Sequence, residues 1–452
     1  MKNKAACCVL RAACWTALGA VMFLGAPGLQ AQTAQVITFR DAIRIALDRN
    51  TALKLARNAS ELDEVALRQE RAQRVPDFRY NASTAQTYGR TFNQSEGRVE
   101  NRSTQTVNTG VQSSFLLYDA SVSPSIRAAR LGAEAGDLDV ERTRQTVVFT
   151  VATNFLGLIQ NREQLRVRRQ SLAAEEALEA QINEYVEAGS RPIADLYQQQ
   201  AVVASSRLAV VDADRAAQLA EVDLMQTLQL DPRGEYEFVA PEFDEAASAQ
   251  QYQFDSLLVR ALAQRVDLGA EEIRLEAAEQ GLRAARAGRR PALSLTAGYN
   301  TAYSSATELN FVDQLDQRRG GSVGLGLSLP ILDRSGTSIA TQRARIAADN
   351  ARISVEDRRQ EVALQVRRAQ LDFQSAQEQL RAAEAQQRAA ELALQTVQER
   401  YEVGAATLVE LTQARAVGVQ AASAIVSARY NLLFQRTLMD YYIGVLNPET
   451  VR

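Results

Sequence analysis

The chain repeats its own sequence pattern once, and this repeat restricts the possible folds more than any other feature. At an offset of 215 positions, similar residues align without a gap over the first part of each half. The aligned pairs are Phe39 with Phe254, Ala46 with Ala261, Leu47 with Leu262, Leu53 with Leu268, Ala72 with Ala287, and Pro76 with Pro291. Later pairs keep offsets of 214 to 216, namely Asp119 with Asp333, Gly189 with Gly404, and Leu230 with Leu446. A duplicated structural unit produces this pattern, so we predict a first repeat over 32–232, a linker over 233–253 and a second repeat over 254–452.

An apolar seam with a period of 3.5 residues runs through the second repeat. Its members are Val366, Ala369, Phe373, Ala376, Leu380, Ala383, Gln387, Ala390, Leu394, Val397 and Tyr401. The first repeat carries a looser seam at Val151, Leu158, Leu165, Leu172, Ile182 and Val186. The seams predict coiled-coil helices, and a helix over 121–188 spans roughly 100 Å at about 1.5 Å per residue.

Between the helical parts of each repeat, the apolar pattern changes to a period of two. In the first repeat the alternating residues are Val107, Thr109, Val111, Ser113, Phe115 and Leu117. In the second repeat they are Leu293, Leu295, Ala297 and Tyr299, followed by Val323, Leu325, Leu327, Leu329 and Ile331. Such alternation is typical of membrane β-strands. It predicts strand pairs at about 76–118 and 291–332, joined by polar stretches near 93–103 and 304–320. A soluble hairpin on a core is the alternative.

The number of predicted strands has a consequence for assembly. Two strands in each repeat make four in each chain, whereas single-chain membrane barrels begin at eight strands. If the strands enter lipid, the chain must therefore oligomerise.

The composition argues against most enzyme classes. The sequence contains no His, and its three cysteines are Cys7, Cys8 and Cys14. A zinc site, a Cys/His pair and a Ser/His/Asp triad all lack their parts. No phosphate-binding GxxxxGK[ST] loop is present. We expect no catalytic site, no cofactor and no metal.

The first 31 residues have the pattern of a secretory signal peptide. Lys2, Lys4 and Arg11 precede an apolar stretch, which is followed by Pro27 and a small-residue site ending at Ala31. Cleavage there changes the formal charge from −3 to −6. The exported chain would be acidic, and nucleic acid is not an expected partner.

Three segments suggest a known family. They are YEVGAATLVEL over 401–411, ARYNL over 428–432, and the first-repeat counterpart GSRPIADL over 189–196. With the repeat, seams and strand pairs, they make the mature chain resemble the TolC-type outer membrane efflux proteins.

The resemblance implies a mixed α/β membrane protein with an internal duplication. Three chains would form a 12-stranded transmembrane β-barrel in outer membrane lipid, continued by an antiparallel helical coiled-coil tunnel in the periplasm, with helical hairpin tips near 189 and 404. Transport would be passive, and a periplasmic adaptor (membrane fusion protein) and an inner-membrane pump would be the partners.

The resemblance also implies two sets of functional residues at the hairpin tips. The first is a periplasmic gate, formed by Asp195, Tyr401, Glu410 and Gln413. In this gate Tyr401 and Asp195 contact each other between hairpins, and Glu410 belongs to a cation-attracting ring. Gln413 and Ala406 depart from the family, where an aspartate and an arginine stand. The second set is an adaptor-contact tip, formed by Gly189, Ser190, Arg191, Ile193, Gly404, Ala405, Ala406 and Leu408.

Simpler interpretations exist for the same residues. Asp195 and Glu410 fit the first turn of a helix, where an acid favours the helix dipole. Gly189 and Gly404 fit helix ends that need a positive φ. Ile193 and Leu408 fit either exposed partner contacts or packing within the tip.

The sequence is compatible with three hypotheses about function. The first is the outer membrane channel of a tripartite efflux system. The second is the exit duct of a type I protein secretion system, which has the same fold. The third is a periplasmic coiled-coil tether without a pore, in which the strands are soluble.

Overall fold

The computed structural model describes residues 35–93, 97–239 and 251–446. The predicted signal peptide over 1–31, the central part of the predicted linker and the last six residues lie outside these ranges. The first half contains β1 (Gln35–Ile37), α1 (Phe39–Arg49), α2 (Thr51–Ala72), β2 (Asp77–Asn93), β3 (Arg98–Tyr118), α3 (Val122–Glu187) and α4 (Ile193–Leu228). The second half contains β4 (Tyr236–Phe238), α5 (Phe254–Gln264), α6 (Val266–Ala287), β5 (Ala292–Ser304), α7 (Phe311–Gln317), β6 (Gly320–Ser328), α8 (Gly336–Glu402) and α9 (Leu408–Tyr442).

Corresponding helices in the two halves have nearly equal lengths. α1 and α5 have 11 residues each, and α2 and α6 have 22. The long helices α3 and α8 have 66 and 67 residues, and the helices that return from them, α4 and α9, have 36 and 35. Each half therefore combines two short helices, two strands and one long helical hairpin.

The apolar seams form the contacts within the helical hairpins. Val366, Ala369, Phe373 and Ala376 are at most 1% exposed and pack in one core cluster with Leu432 of α9. Val151 and Leu158 of α3 are fully buried with Leu224 of α4. α3 also packs along α9, so the two hairpins are neighbours. The predicted seams are confirmed by this burial.

In the described ranges, no helix is both long enough and apolar enough to cross a membrane.

A small sheet that the sequence pattern missed joins the start of the first repeat to the predicted linker. β1 pairs in parallel with β4, with Ile37 opposite Phe238. Phe155 of α3 packs edge-on against Phe238, with ring centroids 6.1 Å apart, and against Phe39 of α1 at 5.1 Å. Three-residue strands are too short to show alternation, so only their contacts identify them.

The four longer strands form one antiparallel sheet in the order β2-β3-β5-β6. Val111 of β3 lies opposite both Tyr80 of β2 and Tyr299 of β5, and Ala297 of β5 lies opposite Val323 of β6. The alternating apolar residues thus share one face, which is strongly exposed in the single chain: Phe78 is 74% exposed and Val323 is 79%.

The structure corrects the predicted end of the second strand pair. We expected alternation to continue through Leu329 and Ile331, but β6 ends at Ser328. Pro330 follows, and proline has no amide hydrogen to donate to a neighbouring strand. A second difference is α7, which lies within the stretch predicted as a polar connection over 304–320.

Candidate functional site

Two turns of matching geometry end the long helices α3 and α8. A glycine adopts a left-handed backbone in each, with φ of +73° at Gly189 and +75° at Gly404. The amide after each glycine donates to a carbonyl five residues earlier: Ser190 to Tyr185 at 2.9 Å, and Ala405 to Arg400 at 2.7 Å. These bonds satisfy carbonyls that the helix end leaves unpaired. The predicted need for positive φ at Gly189 and Gly404 is confirmed.

The return helices begin directly after these turns, and each carries one predicted acid in its first turn. The Thr407 hydroxyl caps α9 by accepting a hydrogen bond from the Glu410 amide at 3.2 Å. Pro192 precedes α4, and Asp195 lies in its first turn. A carboxylate at this place stabilises an exposed helix by about 0.3–1 kcal/mol. The helix-start interpretation of both acids therefore fits the geometry.

An apolar cluster holds the two hairpin ends together. This tip apolar cluster contains Leu178 and Ile182 of α3 and Tyr401, Ala406, Leu408 and Leu411 of the second hairpin. All six are at most 7% exposed. Leu408 and Ala406 therefore pack inside the tip, whereas Ile193, at 55% exposed, lies on its surface.

Arg191 joins the predicted gate residues Tyr401 and Asp195 across the hairpins. Its guanidinium carbon lies 4.6 Å from the centre of the Tyr401 ring, a cation–π distance. The same guanidinium lies 3.9 Å from the Asp195 carboxylate. Burial raises the pKa of Tyr401 above its usual value near 10, and the positive charge of Arg191 opposes that rise. The phenol is therefore neutral at pH 7, and its hydroxyl makes no hydrogen bond to the described part of the chain.

A polar cluster deeper in the hairpins also connects them. In this tip polar cluster, the buried Gln199 side chain of α4 donates to the Glu175 carboxylate of α3 at 2.7 Å. Arg415 of α9 donates to the Ala174 carbonyl at 2.8 Å and lies 3.6 Å from the Glu175 carboxylate. Glu175 is only 5% exposed. One buried carboxylate thus connects α3 and α4 to the second hairpin.

The remaining gate candidates lie on the surface of the second hairpin. Glu410 is 3.8 Å from the Arg400 guanidinium, and both side chains are about half exposed. Gln413 is exposed one helical turn later. Within the described ranges, no group of three or more His, Cys, Asp or Glu is arranged to hold a metal ion.

The sequence prediction did not include Arg415, Glu175 or Gln199. A usable signal was present for Glu175, because it follows the seam residue Leu172 by three positions and precedes the buried Leu178 by three. A charged residue at a seam position indicates a buried partner on a neighbouring helix. The sequence does not identify that partner, since Arg415 is 240 positions away.

The chain is similar over most of its length to known outer membrane proteins. The model of the family described as outer membrane efflux protein matches residues 42–228 and 257–444. The CmeC outer membrane channel of Campylobacter jejuni superposes with a TM-score of 0.76 at 19% identity, over 92% of this chain and 87% of that chain. The outer membrane protein VceC of Vibrio cholerae gives 0.76 at 17% identity, over 90% and 96%. The open state of the MtrE outer membrane channel of Neisseria gonorrhoeae gives 0.72 at 21% identity, over 91% and 89%. No curated protein sequence matches the chain significantly.

Proposed function

The chain belongs to the outer membrane efflux protein family, and from that premise we propose that it forms a passive trimeric conduit for a tripartite efflux system. The observation that carries the proposal is the family match to both halves of the chain, residues 42–228 and 257–444. The nearly equal helix lengths of the two halves support an internal duplication.

The four-stranded sheet supplies the part that enters the outer membrane. Its outer face presents Phe78, Tyr80 and Leu325 at 70% exposure or more, while its other face is lined by small and polar residues such as Asn108 and Thr296. Apolar-out and polar-in alternation suits a barrel with lipid outside and water inside. Since four strands cannot close, three chains contribute one 12-stranded barrel.

The long helices supply the passage across the periplasm. α3 has 66 residues, which corresponds to roughly 100 Å at about 1.5 Å per residue. Packed as hairpins around the axis that continues the barrel, they form a tunnel. The energy for transport comes from an inner-membrane pump, which a periplasmic adaptor connects to the tunnel.

The hairpin tips supply the gate and the adaptor contact. Asp195, Tyr401, Glu410 and Gln413 form the gate, and Arg191 holds the first two of these in one place. For the adaptor contact, the exposed residues Gly189, Ser190, Ile193, Gly404 and Ala405 are the stronger part of the predicted set. Ala406 and Leu408 support that surface from inside.

Deletion of the gene in its host tests efflux against the other functions. A channel for efflux predicts that the deletion strain retains a fluorescent dye exported by tripartite pumps, and that the wild-type gene restores export. An exit duct for protein secretion predicts unchanged dye export together with the loss of a protein from the medium. Unchanged export and secretion would contradict both channel roles and favour the tether.

A further inference from the structure

The β5–β6 connection contains a short helix that the proposed function does not use. Two hydrogen bonds fix α7 to the end of β5. The Gln314 side chain accepts a hydrogen bond from the Ser304 amide at 2.9 Å and donates to the Leu309 carbonyl at 2.7 Å, and it is fully buried. The Thr301 hydroxyl donates to the Leu315 carbonyl at 2.6 Å. The β5–β6 connection is therefore held in a defined conformation by hydrogen bonds.

α7 has one apolar side, which continues the apolar face of the sheet. At about 100° per residue, Phe311, Val312 and Leu315 lie on one side of the helix, Asp313 lies on the other, and Asp316 lies at the border next to Val312. The Phe311 ring packs on Tyr303, with centroids 5.0 Å apart. Tyr303 belongs to the same face of β5 as Leu295 and Tyr299.

Much of this apolar side is uncovered in the chain. Val312 is 71% exposed, Phe311 47% and the preceding Leu309 41%. Contiguous exposed apolar side chains on a helix that is held in place by hydrogen bonds indicate a contact surface. Asp316, at the border of this apolar side, forms an ion pair with Arg319 at 2.8 Å.

The position of α7 along the strands suggests what covers it. Leu293 lies at the end of β5 that is nearest to the helices, and Tyr303 lies ten residues further along the strand. At roughly 3.4 Å per residue, the two are about 34 Å apart along the strand. With a strand tilt of about 40°, this gives a height of about 26 Å, close to the roughly 25 Å apolar band of outer membrane barrels. α7 therefore lies where the acyl chains meet the headgroups. An amphipathic helix in that plane buries its apolar side among the acyl chains and keeps its polar side in the headgroups.

We infer that α7 is an interfacial anchor whose side formed by Leu309, Phe311 and Val312 inserts into the outer leaflet of the membrane. This inference rests on the proposed function, because it requires that the outer face of the sheet contacts lipid. The occupant is the acyl and headgroup boundary of a lipid layer.

Tryptophan quenching by brominated lipids tests the anchor directly. The only tryptophan is Trp15, inside the predicted signal peptide, so a single introduced tryptophan reports without background. We would reconstitute three variants in phosphatidylcholine vesicles whose acyl chains carry bromine near either the carbonyl end or the methyl end. Val312→Trp reports on the anchor, Asp313→Trp on the polar side of the same helix, and Val323→Trp on the sheet. Since Val312 and Val323 are 71% and 79% exposed, neither substitution disturbs packing.

The anchor predicts that Val312→Trp loses most of its emission with bromine near the carbonyl end and little with bromine near the methyl end. Asp313→Trp should be much less quenched by either lipid. Quenching of Val323→Trp without quenching of Val312→Trp would overturn the anchor and leave the barrel intact. If Val323→Trp is not quenched by either lipid, the sheet does not face lipid, and the proposed function fails together with the anchor.

Discussion

Arg415→Ala should loosen the contact between the two helical hairpins more than any other single change at their tips. The substitution removes the only guanidinium that contacts the Glu175 carboxylate and its neighbouring Ala174 carbonyl within the described structure. Glu175 keeps the neutral Gln199 amide as its donor. An almost completely buried carboxylate would therefore lose its balancing positive charge.

The expected cost follows from the burial of the pair. A hydrogen bond from a charged group contributes about 1.5–3 kcal/mol, and breaking a buried ion pair by removing one partner costs about 3–5 kcal/mol. The side chains of Arg415 and Glu175 are 16% and 7% exposed, and Gln199 still supports the carboxylate. We therefore expect about 3 kcal/mol, which corresponds to a factor of roughly 100 in the opening equilibrium of the tip.

Amide hydrogen exchange of the detergent-purified protein, read by mass spectrometry, measures this opening. Peptides that cover 178–187 and 401–411 should exchange roughly 100-fold faster in Arg415→Ala than in wild type. Adding Glu175→Gln removes the unbalanced charge and should restore most of the protection. Arg381→Ala breaks an exposed pair with Glu378 and serves as the matched control, with no change at the tip. Less than a threefold change in Arg415→Ala, or no rescue in the double variant, would show that the Arg415 to Glu175 contact does not hold the hairpins together.

Four further predictions concern stability and selectivity. Gly404→Ala should lower the stability to thermal unfolding by about 1–2 kcal/mol because its φ is +75°. Gly418→Ala, in the interior of α9, should instead raise the stability by up to about 1 kcal/mol. Although burial opposes it, hydrogen bonding from Arg265 and the charge of Arg142 lower the pKa of Asp267. The stabilisation by this carboxylate is thus complete at pH 7 and lost below about pH 4, so acid should lower the melting temperature of wild type more than that of Asp267→Asn. Gln413→Asp should increase the cation preference of single channels, because it adds one carboxylate per chain at the proposed gate; an unchanged preference would place position 413 away from the pore.

Regular patterns in the sequence predicted the extended elements well. The seams predicted which faces of α3 and α8 are buried, because a 3.5-residue period is preserved along the whole length of a helix. The alternation through Val107 and Val111 predicted β3, because a two-residue period is preserved along a strand. Gly189 and Gly404 identified the turns, since few other residues adopt positive φ there.

Features that depend on contacts between distant parts of the chain were not predictable in the same way. β1 and β4 are three-residue strands that form only because they meet. α7 lies in a segment whose sequence predicts a polar connection. A hydrogen bond from the end of β5 to the Gln314 side chain holds this helix in place. The Arg415 to Glu175 contact links positions far apart in sequence, so no local pattern indicates which arginine approaches the buried acid.

We would measure the conductance of the detergent-purified protein in planar lipid bilayers. This measurement tests most directly whether the chain forms a channel with a gate at the hairpin tips. Wild type, Arg415→Ala and the control Arg381→Ala should be compared. A channel gated at the tips should give discrete conductance steps, with a larger conductance or open fraction in Arg415→Ala and no difference between Arg381→Ala and wild type. Folded Arg415→Ala oligomers that insert into the bilayer and conduct no ions would contradict it.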